Sequence, residues 1–162
     1  MGGLENVEDV LRLAISREIE ANVFYNLLSQ YTDIPQIRSL CVEFASEELE
    51  HKAKLELELM KLGNTVKPYP TQNQTPKPLD YMVDMSKIMQ MDYEGLLLLA
   101  MQKEKISFRL YIDLLSTITE PSLKEVLIEL AEEEARHKIR FELEYDLLMA
   151  GKGRTIEEQV RR

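Results

Sequence analysis

Four stretches of the chain place apolar residues every three or four positions, the pattern of a helix with one buried face. The first stripe is Val7, Leu11, Ala14, Glu18, Ala21, Tyr25 and Leu28. The second is Ile37, Cys41, Phe44, Glu48, His51, Leu55 and Leu62. The third is Tyr93, Leu97, Ala100, Glu104, Ser107, Tyr111 and Leu114, and the fourth is Leu123, Leu127, Leu130, Glu134, His137, Phe141 and Leu148. Each stripe is interrupted near its middle by a glutamate. A carboxylate on an inward face is costly to bury alone, so each needs a cation, a proton or a hydrogen-bond partner.

The breakers between the stripes set the elements. The first helix is expected over about 4–30 and the second over about 35–62, joined by the turn Thr32-Asp-Ile-Pro35 and stopped by Gly63. Residues 63–79 hold Pro68, Pro70, Pro76 and Pro78 and read as a connection without helix. An extended run of that length covers about 50 Å, against roughly 40 Å for a helix of about 27 residues. It can therefore cross from one end of a bundle to the other. Residues 80–91 read either as a short helix or as the start of the third, for which Asp92 is a candidate N-cap. The second turn is Thr117-Ile-Thr-Glu-Pro121, and the fourth helix is expected to run to about Ala150, before Gly151. Thr155-Ile-Glu-Glu158 has a capping-box pattern that allows a short terminal helix in the tail 151–162. The expected fold is all-α: one domain over 1–162, a four-helix bundle of two hairpins (4–62 and 80–150) with one long crossover.

The hairpins are copies. With an offset of 86 residues and no gap, Glu18 falls on Glu104, Tyr25 on Tyr111, Pro35 on Pro121, Glu48 on Glu134 and His51 on His137. Two acidic amphipathic helices match in Glu and Leu by chance. They do not readily match in Tyr, Pro and the chain's only two His. Glu18 and Glu48 are equidistant from Asp33, and Glu104 and Glu134 from Thr119, so in antiparallel hairpins each pair stands at one height.

Glu48-x-x-His51 and Glu134-x-x-His137 each put a carboxylate and an imidazole on one helix face. Folded together, the four stripes converge as four Glu and two His, a donor set suited to iron, manganese, zinc or copper. Four carboxylates balance two divalent ions. Without metal they are mutually repelling buried acids. The expected arrangement has Glu18 and Glu104 terminal, Glu48 and Glu134 bridging, and His51 and His137 completing one ion each. Glu20, Glu47, Glu50, Glu132 and Glu133 are expected to be solvated, and Cys41 and the methionines to pack the core or an interface.

Composition narrows the rest. The formal net charge is −9, which argues against a nucleic-acid partner. A single Cys excludes an internal disulfide and a Cys-rich metal site, and fits a cytoplasmic setting. The start of the chain is not expected to act as a signal peptide. The longest apolar run, Leu96 to Met101, is too short for a membrane span.

On the motifs Ala14-x3-Glu18-x2-Ala21-x3-Tyr25, Ala45-x2-Glu48-x2-His51, Ala100-x3-Glu104-x2-Ser107-x3-Tyr111 and Ala131-x2-Glu134-x2-His137, the chain resembles the rubrerythrin-type members of the ferritin-like di-iron carboxylate proteins. The resemblance covers nearly the whole chain. It implies a ferritin-like bundle holding two iron ions, with manganese or zinc as alternatives. It implies reduction of hydrogen peroxide or dioxygen with electrons from a donor such as rubredoxin, in a cytoplasmic homodimer or larger homo-oligomer. The other activities it allows are iron oxidation and storage, and manganese catalase-like chemistry. Tyr25 and Tyr111 resemble the family's tyrosines that hydrogen-bond ligand carboxylates; the competing reading for them is core packing. Two departures stand out. The sequence has no paired Cys-x-x-Cys of a rubredoxin domain, so the donor is expected to be a separate protein. Ser107 stands where rubrerythrins carry an extra glutamate, so the ligand set is symmetric, nearer that of bacterioferritin.

Overall fold

A computed structural model describes residues 7–63 and 90–151. Within them lie four helices and no strand: α1 (Val7–Tyr31), α2 (Pro35–Lys61), α3 (Tyr93–Leu115) and α4 (Pro121–Gly151). Apart from Gly63, the expected crossover over 63–79 falls outside the described residues, as do nearly all of 80–91 and the tail after Gly151.

Local chemistry fixes the helix ends. Pro35 opens α2, and Arg38 donates to the Thr32 carbonyl at 2.8 Å, which ties the turn to the first helical turn. Gly63 takes φ +80 and its N–H donates to the Met60 carbonyl at 2.8 Å, so the stop residue adopts the left-handed conformation that glycine enters most readily. The Asp92 side chain accepts from the Gly95 N–H at 2.9 Å, as an N-cap does.

α1 packs along α2, and α3 along α4, as two antiparallel hairpins that meet mainly through α1 against α3 and α2 against α4. The core is split into two apolar clusters. One holds Phe24, Tyr25 and Leu28 of α1, Ile37, Cys41 and Phe44 of α2, Leu97 and Ala100 of α3, and Phe141 of α4. The other holds Leu11 and Ala14 of α1, Leu55 and Leu59 of α2, Tyr111 and Leu114 of α3, and Leu123, Leu127 and Leu130 of α4. α2 therefore ends beside the second cluster and α3 begins beside the first, the arrangement a full-length crossover requires. Between the clusters lie the buried glutamates and histidines, held by apolar packing above and below.

Nearly every stripe residue is buried or half-buried. Leu62 is the exception, exposed beyond the last turn of α2. Asn22, which lies off the stripe, is buried because its amide donates to the Ala45 carbonyl at 2.7 Å, tying α1 to α2.

Candidate metal centre

Each helix delivers one carboxylate at mid-height. Glu18, Glu48, Glu104 and Glu134 are all at most 2% exposed, and His51 and His137 lie one turn beyond the α2 and α4 glutamates, also buried. The six form two overlapping groups. In Glu18, Glu48, His51 and Glu134, and again in Glu48, Glu104, Glu134 and His137, one donor atom from each residue lies within 4.8 Å of the rest.

The halves match closely. His51 Nδ1 stands 3.1 Å from Glu134 Oε1 and 3.4 Å from Glu18 Oε2. His137 Nδ1 stands 3.1 Å from Glu48 Oε1 and 3.4 Å from Glu104 Oε1. Each histidine thus faces the middle glutamate of the opposite hairpin and the first glutamate of its own.

The tyrosines also cross between hairpins. Tyr25 of α1 donates its hydroxyl to Glu104 of α3, and Tyr111 of α3 donates to Glu18 of α1. Both rings are buried, so these residues pack the core and bind the carboxylates at once. Each bond takes one oxygen of its glutamate and leaves the other buried without a hydrogen bond.

Glu47 and Glu133 depart from expectation. Instead of being solvated, Glu133 lies at hydrogen-bond distance from Nε2 of His51, and Glu47 from Nε2 of His137. A carboxylate on Nε2 favours the tautomer whose Nδ1 lone pair faces the cluster. Periodicity gave no warning, because a residue one place before an inward glutamate points some 100° away from it. The available signal was the duplication, since Glu47 and Glu133 are themselves 86 residues apart. Glu20 is likewise half-covered, paired with Arg17 at 3.2 Å and Lys103 at 3.5 Å. Glu50 and Glu132 are exposed as expected.

The electrostatics follow from burial. Desolvation, reinforced by Glu18 and Glu104, holds the Glu48 carboxyl well above the usual carboxylate range. Desolvation, with Glu104 and Glu48 beside it, does the same to Glu134. Burial alone would raise Glu104 too, but the Glu134 carboxyl and the His137 imidazole close beside it bring it below the ordinary value. Burial works against protonation of both histidines. The proximity and charge of Glu18 outweigh it at His51, as those of Glu104 do at His137, and both are raised. Burial and the adjoining carboxylates push Tyr25 and Tyr111 well up, so both keep their protons and donate.

The fit of the donor set to metal shows in the buried polar atoms that are left without a partner. Among the described residues, seven make no hydrogen bond: Glu18 Oε2, Glu48 Oε1, His51 Nδ1, Glu104 Oε2, both carboxylate oxygens of Glu134, and His137 Nδ1. Buried polar atoms are nearly always paired. Here every orphan belongs to the six converging residues, and each is an acceptor or a lone-pair donor, which is what a cation requires.

A helical bundle around a buried carboxylate and histidine cluster defines a class, the ferritin-like proteins with a dinuclear carboxylate centre. The rubrerythrin family model matches residues 9–145, and the chain belongs to that family. No curated protein matches the chain significantly. Among solved structures it is similar to a hypothetical protein from Pyrococcus furiosus, with 25% identity, TM-score 0.67, and 90% of this chain and 91% of that one covered. It is also similar in fold to a Thermotoga maritima protein assigned as a ferritin-like diiron-carboxylate protein, with 21% identity, TM-score 0.65, and 86% and 93% of the two chains covered. Among the described residues no helix is long and apolar enough to cross a membrane.

Proposed function

We propose that the whole chain is a single di-iron domain that reduces hydrogen peroxide or dioxygen with electrons from a separate carrier protein, rubredoxin being the type of donor expected. The observation that carries this is the set of seven unpartnered buried atoms, all on Glu18, Glu48, His51, Glu104, Glu134 and His137. Glu18, His51 and the shared Glu48 and Glu134 would hold one ion; Glu104, His137 and the same shared pair would hold the other. Two iron ions, when bound, would supply the chemistry that side chains lack, a store of two electrons for reducing an oxygen–oxygen bond.

The remaining work falls to the chain. Tyr111 and Tyr25 orient Glu18 and Glu104 by donating to one oxygen of each. Glu133 and Glu47 orient the imidazoles through Nε2. Phe44 stacks on His137 with ring centroids 3.9 Å apart, and Phe141 stacks on Tyr25 at 5.7 Å, which fixes the orientation of the His137 and Tyr25 rings. Peroxide reduction consumes two protons with its two electrons. The half-exposed Glu47 and Glu133, each between a histidine and solvent, are the groups placed to relay them.

The second reading is iron oxidation without turnover of a reductant. It is favoured by half-buried Ser107, which leaves the ligand set symmetric. The test is to purify the protein without added metal, measure metal per chain and the absorption spectrum, and then assay NADH-linked peroxide reduction through an electron-transfer partner. Two irons per chain with turnover that is lost in Glu104→Ala support the proposal. Two irons without turnover, in a hollow particle of tens of subunits, support storage. Absence of metal at stoichiometric iron overturns both.

A further inference from the structure

The repeat makes the ligands symmetric, but the surfaces above the two histidines are not. Over His51, Lys54 of α2 reaches across to Glu129 of α4 at 2.7 Å and lies 3.6 Å from Glu133. The matching positions in the other half are Arg140 and Glu43. Arg140 does not reach across; it pairs within its own helix with Glu144 at 3.0 Å. Where that second bridge would be, a cavity of about 370 Å³ opens between α2 and α4, lined by Leu40, Glu43, Phe44, Glu47, His137 and Arg140 among others. Glu47 is correspondingly more exposed than Glu133, at 36% against 21%.

The cavity suits a cation. Its wall holds four carboxylates (Glu43, Glu47, Glu50 and Glu133) against two guanidiniums (Arg136 and Arg140), and its floor is buried His137. An acidic, partly enclosed wall concentrates cations. The packing beneath differs as well. Phe44 stacks on His137, whereas the residue 86 places on is Leu130, so His51 lacks that ring.

We propose that divalent cations enter and leave through this cavity, so that the His137 position exchanges metal first and the His51 position, under the Lys54–Glu129 bridge, exchanges last. This rests on the two-ion reading above. It gives the symmetric ligand set a kinetic order: one outer ion is replaceable while the inner one stays and holds the hairpins together.

The test mixes metal-free protein with Co(II) under exclusion of air and follows ligation by visible absorbance in stopped flow. Two phases of one ion each are expected. Lys54→Met removes the bridge without touching a ligand and should speed the slow phase about three-fold or more, the scale of one exposed ion pair. Glu43→Gln should slow the fast phase at least about two-fold by weakening the attraction of the wall. Chelator should extract one ion ahead of the other. Helicity by circular dichroism and final stoichiometry check that both variants fold. A single phase that neither variant moves, or a Lys54→Met effect confined to the fast phase, overturns the route and leaves the two-ion reading intact. Fewer than two ions per chain overturns that reading, and the route with it.

Discussion

Removing metal from this protein should reverse the pH dependence of its stability. Seven buried polar atoms are left without hydrogen bonds when no cation is present. At roughly 1–3 kcal/mol for each unsatisfied buried group, a fully charged empty site would cost on the order of 10 kcal/mol, comparable to the whole stability of a domain. The metal-free fold survives by taking protons. Glu48 and Glu134 are held well above the carboxylate range by burial and by neighbouring carboxylates. Against the burial that would lower them, Glu18 raises His51 and Glu104 raises His137. A group whose folded value is raised stabilises the fold below its unfolded value and loses that contribution as pH rises through the folded one. Glu104 is lowered and acts in the opposite sense, but it is one group against four. Chelated protein should therefore be most stable in mild acid and lose stability from the ordinary carboxylate range up through neutrality.

Metal-loaded protein should go the other way, because the ligands must shed protons to bind. At free metal 100-fold above the dissociation constant each ion adds about 2.7 kcal/mol, or roughly 5 for two. A chain of this size gains about 2–4 °C per kcal/mol, so Tm should rise by roughly 10–20 °C near neutral pH. That gain should shrink toward pH 5. The assay is thermal unfolding by circular dichroism at several pH values, with chelator and with Fe(II) or Co(II). Parallel curves with and without metal, or a neutral-pH shift below about 2 °C, would refute the reasoning.

Other consequences follow from the same contacts. Tyr25→Phe and Tyr111→Phe remove the hydroxyls that hold Glu104 and Glu18, and each should weaken metal binding about 10–100-fold while leaving helicity intact, as read by competition with a chromophoric chelator. Glu133→Ala should weaken binding on a similar scale by freeing the His51 ring, whereas Glu132→Ala, one residue away and exposed, should change nothing in the same titration. Phe141→Ala empties a fully buried site stacked on Tyr25 and should cost about 3–5 kcal/mol in denaturant unfolding. Asp92→Ala removes the cap on the Gly95 N–H and should cost about 1 kcal/mol by the same measurement.

The helices were legible because burial imposes a period that the sequence must obey, and the ligand set was legible because the period is broken by charged residues at repeated places. Glu18 and Glu104 stand out only as polar residues inside apolar stripes. The partners on the rims are less visible. Glu47 and Glu133 are placed by the way two hairpins cross, which no single helix encodes. The buried Asn22 is similar: its target is the Ala45 carbonyl, and the equivalent position in the second hairpin is Phe108, so neither period nor repeat marks it. The open cavity over His137 was also unreadable, since the matching of Arg140 and Glu43 to Lys54 and Glu129 gives no sign that Arg140 pairs with Glu144 on its own helix.

That the contacts cross between hairpins bears on what holds the fold together. Within a hairpin the helices pack along their length, while between hairpins contact is sparser. The bonds of the site span the sparse direction: Tyr25 to Glu104, Tyr111 to Glu18, Glu133 to His51 and Glu47 to His137. Neither hairpin can satisfy its own glutamate, and neither can orient its own imidazole. Each ion would draw ligands from three helices and from both hairpins, so binding it and docking the two copies are one event. Half of this chain should therefore bind metal poorly even though it carries half the ligands, because the groups that aim them reside in the other half.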